Sequence, residues 1–195
     1  MSALNTVTPP ANEPVTAAEA KTQAIIEHTD DDTLIGSMIT RARLLVEAWT
    51  GRQLCNATYD YYLDSWPLGA GVIRLPRWPV SSVTSVKYQD VDDAQQTLVE
   101  NTDYQVDLLS EPARIMPEYG ESWPNLYPES FYGIVIRFVA GYSADGASVP
   151  ENYKHAILGL VAYWHRNREI AGPMGMKSAE FFLAHHLNTD RSWSF

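Results

Sequence analysis

Residues 30–64, DDDTLIGSMITRARLLVEAWTGRQLCNATYDYYLD, contain the point at which the hydrophobic pattern changes from a helical period to an extended one. In the first half of this stretch apolar residues recur every three or four positions, which predicts an amphipathic helix. They are Leu34, Ile35, Met38, Ile39, Ala42, Leu45, Val46 and Trp49. Aspartates precede this helix at the positive end of its dipole, and Gly51 follows as a left-handed C-cap. After Ala57 the period is two, which predicts a β-strand.

Downstream of this point, short strand-like runs separated by Pro, Gly, Asn and Asp continue to Gly141. Such spacing is typical of an antiparallel sheet or small barrel, so we expect a β-rich insert over residues 57–147. Three Trp-Pro pairs fall in it, and each predicts a strand end or edge because proline has no N–H for a β-ladder. The pairs are Trp66-Pro67, Trp78-Pro79 and Trp123-Pro124. Residues 119–131 follow neither period and are predicted to form a long loop.

Helical patterns resume on both sides of the insert. Thr16 and Glu19 have capping-box spacing for a short helix, and a helix is predicted after Pro150. A second C-terminal helix is expected from Ser178 to about residue 188. The predicted fold is therefore α+β: a helical bundle (residues 15–56 and 148–188, one long N-terminal helix and two C-terminal helices) with an inserted small antiparallel β-sheet or barrel. Residues 1–14 are expected to be an extended N-terminal arm, and residues 189–195 a C-terminal tail.

Length and composition limit the function classes. The chain has 195 residues with 45% hydrophobic residues, enough for a core without disulfides, and its single cysteine, Cys55, is predicted to be a small apolar core residue. No apolar run is long enough to span a membrane and no signal peptide precedes the first helix, so we expect a protein made in the cytoplasm without a membrane partner. The formal charge is −10. The acids concentrate in residues 1–32 and in the insert, which disfavours direct DNA readout.

Motifs for catalysis or metal binding are incomplete. Gly141-Tyr142-Ser143-Ala144-Asp145 begins like a nucleophile elbow but lacks the final glycine. Lys177-Ser178 lacks the glycines of a phosphate loop. No two of the five histidines are four residues apart, the spacing that places two ligands on one helix face. We therefore predict no enzymatic activity, no cofactor and no metal.

A set of short segments spread over residues 15–169 carries more information than any one motif. In chain order these are Ala42-Arg43, Glu47-Ala48, Thr50-Gly51-Arg52, Leu75-Pro76-Arg77-Trp78-Pro79-Val80, Ser82-Val83-Thr84-Ser85-Val86-Lys87-Tyr88, Tyr104-Gln105-Val106-Asp107, Pro112-Ala113-Arg114-Ile115, Gly120, Trp123-Pro124, Val135-Ile136-Arg137-Phe138, Ala140-Gly141-Tyr142, Val149-Pro150 and Trp164-His165-Arg166-Asn167-Arg168-Glu169. In this order and spacing the chain resembles the head–tail connector, or adaptor, proteins of long-tailed bacteriophages and prophages.

The resemblance implies a structural virion protein at the neck, at the head–tail junction, made in the cytoplasm of a bacterial host. It implies a helical bundle with a β-insert that assembles into a ring, expected to contain twelve copies, under the portal protein. Such a ring extends the DNA channel and presents a platform for a tail-completion or stopper protein, while DNA passes through without sequence-specific binding. Few charges and many aromatics fit the two heterologous interfaces that a ring subunit needs.

Three groups of residues are assigned by this reading. The segment predicted to contact the portal comprises Phe181, Phe182, His185, Leu187, Trp193 and Phe195. Subunit-interface or bundle residues are Arg43, Trp49, Arg52, Trp164, His165 and Arg168. The candidate acidic lumen or solvent face comprises Asp90, Asp92 and Asp93. We expect the N-terminal arm, which contains three prolines, to become ordered on contact with neighbouring subunits.

Two other functions remain open from the sequence. One is a different neck or tail-completion protein of the virion, which composition barely separates from an adaptor. The other is a carbohydrate- or small-ligand-binding module, which would need several exposed aromatic side chains lining one groove of the insert.

Overall fold

The computed structural model describes residues 1–68, 71–128, 131–167 and Leu187. Within these residues the chain forms three helices and eight strands. In chain order they are β1 (Ser2–Thr8), α1 (Ala17–Ala24), α2 (Asp32–Thr50), β2 (Ala57–Leu63), β3 (Ile73–Arg74), β4 (Val80–Gln89), β5 (Gln95–Leu98), β6 (Tyr104–Asp107), β7 (Arg114–Pro117), β8 (Ile134–Ala140) and α3 (Glu151–Arg166).

The larger sheet has five antiparallel strands in the order β1-β2-β8-β4-β5. Its central strand β8 alternates strictly: Ile134, Ile136 and Phe138 are buried, while Arg137 between them is exposed. Because side chains of a strand point alternately to its two faces, one face of β8 is apolar and buried, while the other, with Val135, Arg137 and Val139, is less buried. The ring of Tyr59 stacks on that of Phe138 across the β2–β8 pair, with centroids 5.6 Å apart.

A smaller sheet of three antiparallel strands, in the order β3-β7-β6, completes the β-structure. Ile73 of β3 faces Ile115 of β7 in register, and both are buried. These residues belong to the same hydrophobic core as the apolar face of the larger sheet. The two sheets therefore share one core, and much of the β-structure is made of strands far apart in sequence.

The helices form a second packed region, in which α2 packs against α3 and α1 contacts both. The predicted ends of the N-terminal helices are confirmed. Thr16 and Glu19 make the capping box of α1, and Gly51 ends α2 in the left-handed conformation at φ 73°, with its N–H donated to the carbonyl of Glu47 at 2.9 Å. Of the predicted apolar stripe, Ile35, Ile39, Ala42 and Val46 form the buried face of α2.

Internal contacts divide the chain into two compact units. The β-unit comprises Met1–Pro10 and Asn56–Tyr142, and the helical unit comprises Ala11–Cys55 and the described residues from Ser143 onward. The chain thus leaves and re-enters each unit, because β1 precedes the helices in sequence but belongs to the sheet.

The predicted fold class is wrong. The described residues are β-rich, with two antiparallel sheets, two helices before β2 and one after β8, and they do not form a helical bundle carrying a small insert. One reason is that residues 2–8, expected to belong to an extended arm, form β1 against β2. The short helix α1 is separate from α2, as its capping box predicted, and Ile25 ends it in the left-handed conformation at φ 60°. The second predicted C-terminal helix lies outside the described residues, except for Leu187.

Candidate interaction surfaces

Arg43, predicted to be an interface or bundle residue, is buried inside the helical unit. Its guanidinium donates from Nε to Oε2 of Glu13 at 2.7 Å and from Nη1 to Oε2 of Glu47 at 2.9 Å. The other Glu47 oxygen, Oε1, accepts from Gln53 Nε2 at 2.9 Å and from the backbone N–H of Leu54 at 3.1 Å. Burial opposes the charge of Arg43, but the hydrogen bond to Glu13 and the nearby carboxylates outweigh it and raise its pKa.

This network, which we call the Arg43 network (Glu13, Arg43, Glu47 and Gln53), ties three segments of the helical unit together. It links the residues before α1, the last turns of α2 and the segment that follows α2. A buried charge pair is stable only when hydrogen bonds satisfy both partners, and the contacts described above supply them. The charged groups of the Arg43 network pair with one another inside the helical unit, which indicates a structural role.

Two more of the predicted interface or bundle residues, Trp164 and His165, lie in the C-terminal half of α3. The Arg41 guanidinium carbon lies 4.8 Å from the centroid of the Trp164 ring, a cation–π contact. His165 Nε2 lies 3.0 Å from Oδ2 of Asp31, the N-cap residue of α2. Trp164 and His165 therefore hold α3 against α2 within one chain.

The remaining residues of that predicted group differ in position. Trp49 and Arg52 are half-buried at the C-terminal end of α2, and Arg168 lies outside the described residues. Neighbouring positions on the helices offer apolar surface that the sequence reading did not select. Leu44 and Tyr163 are exposed on α2 and α3, respectively.

The acidic residues Asp90, Asp92 and Asp93 lie together in the β4–β5 turn. Asp90 shapes the turn: its Oδ1 accepts from the backbone N–H groups of Asp92 and Ala94, each at 3.0 Å, and its Oδ2 accepts from Gln96 Nε2 at 2.7 Å. These bonds favour the ionised form, so the pKa of Asp90 is lowered, first by Gln96 and then by the Ala94 N–H. Asp92 and Asp93 are exposed at the tip.

The tryptophans of the β-unit are engaged within the protein. The rings of Trp66 and Trp123 stack in parallel with centroids 4.4 Å apart. Their indole N–H groups donate to backbone carbonyls, Trp66 to Pro124 at 2.9 Å and Trp123 to Gly71 at 2.7 Å. Sugar-binding sites stack ligand rings on exposed aromatic faces, whereas these two faces cover each other. The contacts fasten the loop around Trp123, which was correctly predicted to lack regular structure.

Exposed apolar side chains instead lie on the loops of the β-unit, and sequence reasoning did not select them. Leu68 is 98% exposed, Tyr119 96% and Phe131 86%. The loops that carry Leu68 and Phe131 are joined at Asp64, whose Oδ1 accepts from the backbone N–H of Tyr132 at 3.1 Å. Large apolar side chains exposed to solvent are typical of protein–protein contacts. The only feature of the sequence that could have indicated the exposure of these three residues is their position in loops rich in Pro and Gly.

Other chemistry has little support in the described part of the chain. No cluster of three or more His, Cys, Asp or Glu residues there is arranged to hold a metal ion. Cys55 is buried, and burial raises the pKa of its thiol to about 11. Among the described helices, none combines the length and the apolar character needed to cross a membrane.

The segment predicted to contact the portal is represented in the structure by Leu187 alone. Leu187 is fully buried against its own chain. Phe181, Phe182, His185, Trp193 and Phe195 lie outside the described residues.

Comparison with known proteins reveals similarity in structure only. No protein-family model matches the sequence, and the search of curated proteins finds no match. Among solved structures, a chain of "Neck of empty GTA particle computed with C6 symmetry" has a TM-score of 0.75 at 20% identity, covering 99% of this chain and 97% of that chain. A chain of "Virion of native gene transfer agent (GTA) particle" has a TM-score of 0.75 at 20% identity, with 98% and 96% covered. A chain of "Neck of native GTA particle computed with C12 symmetry" has a TM-score of 0.73 at 21% identity, with 99% and 97% covered. The protein therefore shares its fold with these chains over almost its whole length.

Proposed function

We propose that this protein is a structural subunit of the neck of a phage-like particle, where copies of it form a ring. The single observation that carries the proposal is the whole-length similarity to chains from particle necks, at a TM-score of 0.75. The resemblance found in the sequence points the same way from different data, since it rests on short segments rather than on the course of the backbone. The C6 and C12 symmetries with which those necks were computed favour a ring of twelve copies here.

In this proposal the ring lies beneath the portal protein and extends the channel through which DNA passes. A subunit of a closed ring needs two different surfaces that fit each other. The exposed apolar residues of the β-unit loops and of the helices, Leu68, Phe131, Leu44 and Tyr163, supply material for such surfaces and for contact with a tail-completion or stopper protein. The protein has a structural role in this assignment, with no catalytic step.

The acidic character of the protein suits a conduit for DNA. Phosphate contacts made by basic residues would retain a duplex, whereas carboxylates repel it and let it slide. We place the β4–β5 turn, with Asp92 and Asp93 exposed, on the DNA path or on the solvent face near it. A map of the assembled neck in which this turn is buried between subunits contradicts this assignment.

The assignment is tested by mixing the purified full-length chain with the portal protein of the same particle and measuring masses by native mass spectrometry. We expect a ring of twelve copies, alone or bound to the portal, that electron microscopy places at the neck. A chain that remains monomeric under both conditions and is missing from purified necks refutes the proposal. A ring located elsewhere in the particle instead supports another virion role.

A further inference from the structure

Strand β1 is bound to the edge of the larger sheet almost entirely through its backbone. It pairs with β2 in antiparallel register from Ser2 opposite Leu63 to Thr8 opposite Thr58, with an irregularity between Thr6 and Thr8. Yet six of its seven residues are exposed and only Ala3 is half-buried. In the described part of the chain, no strand pairs with the other edge of β1. Side-chain packing therefore contributes little to its attachment.

A strand held by backbone hydrogen bonds fits the same edge on any copy of the protein. The edge of β2 offers identical N–H and C=O groups in every subunit, so β1 of one chain can form the same hydrogen bonds with the β2 edge of another. Exchange of a terminal element between identical chains is a low-cost route to assembly because no new complementary surface has to be created.

The segment that follows β1 is anchored in the helical unit from Asn12 onward, and only three residues connect this anchor to β1. Residues from Asn12 onward are anchored in the helical unit: Asn12 Nδ2 donates to the carbonyl of Ala144 at 3.1 Å, and Glu13 is bonded to Arg43. Pro14 lies close to Gly146: a Cβ added to Gly146 would lie 2.7 Å from the Cα of Pro14. Between this anchor and β1 stand Pro9, Pro10 and Ala11. Two prolines in series stay extended and cannot continue a β-ladder, so the connection to β1 is both short and stiff.

We propose that in the assembled ring β1 of each subunit pairs with β2 of the neighbouring subunit, in the register described above, and so links consecutive copies. This inference rests on the proposed function, since it assumes that the chain forms a ring. Each subunit would donate one strand and accept one, a head-to-tail exchange that closes after a complete turn. The helical unit of one copy would then be tied to the β-unit of the next through the Pro9-Pro10 connection.

The exchange is tested with a pair of cysteines across the β1–β2 ladder, Ala3→Cys and Tyr62→Cys, in a Cys55→Ser background. These positions face each other in register. Opposite residues of antiparallel strands have Cα atoms about 4.5–5.5 Å apart, within disulfide range. After the full-length double variant is assembled and oxidised, non-reducing electrophoresis separates the outcomes. We expect a ladder of covalent multimers; a disulfide that closes only within monomers overturns the proposal.

The matched control is Thr58→Cys with Val139→Cys, which face each other across the β2–β8 pair in the interior of the same sheet. This pair lies in strands that cannot exchange without unfolding the β-unit, so it should give monomers under the same conditions. A multimer ladder from the control as well would show that random cross-linking produces it, and would contradict the exchange.

A second variant lacks residues 1–8. We expect it to keep its near-ultraviolet circular dichroism but to lose ring assembly, because only the connecting strand is removed. Rings that form as well without these residues overturn the exchange and leave the neck role intact. A full-length chain that forms no ring, alone or with the portal protein, contradicts both proposals at once.

Discussion

At the scale of single residues, Glu47 shows how one carboxylate holds together segments that are distant in sequence. It accepts hydrogen bonds from Arg43 on its own helix and from Gln53 and Leu54 beyond the helix end. Because its side chain is only 7% exposed, water cannot replace it as an acceptor. Without Glu47, the Arg43 guanidinium would keep its charge with one fewer counterion.

We therefore predict that Glu47→Ala lowers the free energy of unfolding by about 3–5 kcal/mol, the usual cost of removing one partner of a buried ion pair. Urea denaturation followed by circular dichroism measures it. The matched control is Glu151→Ala, which removes an ion pair with Lys154. The side chain of Glu151 is 75% exposed. That variant should change stability by less than about 1 kcal/mol. Equal effects of the two substitutions would contradict the structural role of the Arg43 network.

A second prediction for a single residue concerns Asp107 and the dependence of the free energy of unfolding on pH. Its carboxylate accepts from Ser110 Oγ at 2.6 Å and from the Arg114 guanidinium, and these bonds, with the backbone N–H groups of Ser110 and Leu109, lower its pKa well below the ordinary value. A carboxyl group whose pKa is lower in the folded state stabilises the fold above its unfolded-state pKa. That contribution is lost as the pH falls toward the folded-state pKa.

We expect the Asp107→Asn variant to show a shallower loss of stability than the parent as the pH falls below about 4. The free energy of unfolding, measured at a series of pH values, gives the slope. Asp92→Asn serves as the control because Asp92 is exposed at the β4–β5 turn. It should preserve the parent slope, and a parent-like slope in Asp107→Asn would refute the prediction.

The sequence indicated which residues of the helical unit matter more readily than it indicated the residues that they contact. It singled out Arg43 as an interface or bundle residue, and the structure buries it in the helical unit. The partner Glu13 lies before α1 in a segment without periodicity, so no local pattern indicates the pair. For the same reason the exposed Leu68 and Phe131 escaped notice, since exposure depends on how loops fold back and not on the residues beside them.

At the scale of elements, the patterns that depend on side-chain periodicity were predictive. The helices α2 and α3 and strand β8 each bury one face, and such faces are visible in sequence. Strand β1 lacks that signal because it buries almost nothing. A helical bundle was expected because every helix of the described residues was recognised, while strand β1 and the pairing between distant strands were not.

Two glycines make a prediction at this scale. Gly146 has φ +76°, and a Cβ there would meet Pro14 Cα at 2.7 Å and the Glu13 carbonyl oxygen at 3.0 Å. Both contacts are backbone atoms, which cannot move aside like a flexible side chain. Gly36 lies within α2, and a Cβ there has nothing within 4 Å.

We predict that Gly146→Ala destabilises the protein by at least about 1 kcal/mol, the cost of a left-handed alanine before any clash is added. By contrast, Gly36→Ala should stabilise it by about 0.5–1 kcal/mol, because alanine restricts the unfolded chain and favours a helix. Thermal unfolding of both variants beside the parent provides the comparison. A stabilising Gly146→Ala would mean that the segment at Pro14 is not held against Gly146.

At the scale of the whole molecule, the C-terminal segment remains the predicted contact with the portal. Deleting residues 177–195 would test it poorly, because Leu187 is buried and its loss would also disturb the helical unit. Substitutions at the chain end separate the two effects. Trp193 and Phe195 are the aromatic residues there, and buried aromatics dominate many interfaces.

We predict that the double variant Trp193→Ala/Phe195→Ala loses most of its capture by immobilised portal protein, because each side chain supplies apolar area to the contact. Its free energy of unfolding should match that of the parent. Leu109→Ala, which removes a large apolar side chain 97% exposed on the β-unit, is the control and should be captured normally. Undiminished capture of the double variant refutes the anchor, and a matching loss of stability would show that these residues belong to the fold instead.

The interleaving of the two units has a consequence for synthesis on the ribosome. Strand β1 is made before α1 and α2, its partner β2 follows only after them, and the central strand β8 comes later still. The helices α1 and α2 must in turn wait for α3, so neither unit is complete until most of the chain has emerged. Contacts between such distant segments slow folding and leave sheet edges open in the nascent chain. The order of synthesis therefore keeps β1 without a partner longest of the described strands, so its backbone groups stay open to another chain while the rest of its own sheet is being made.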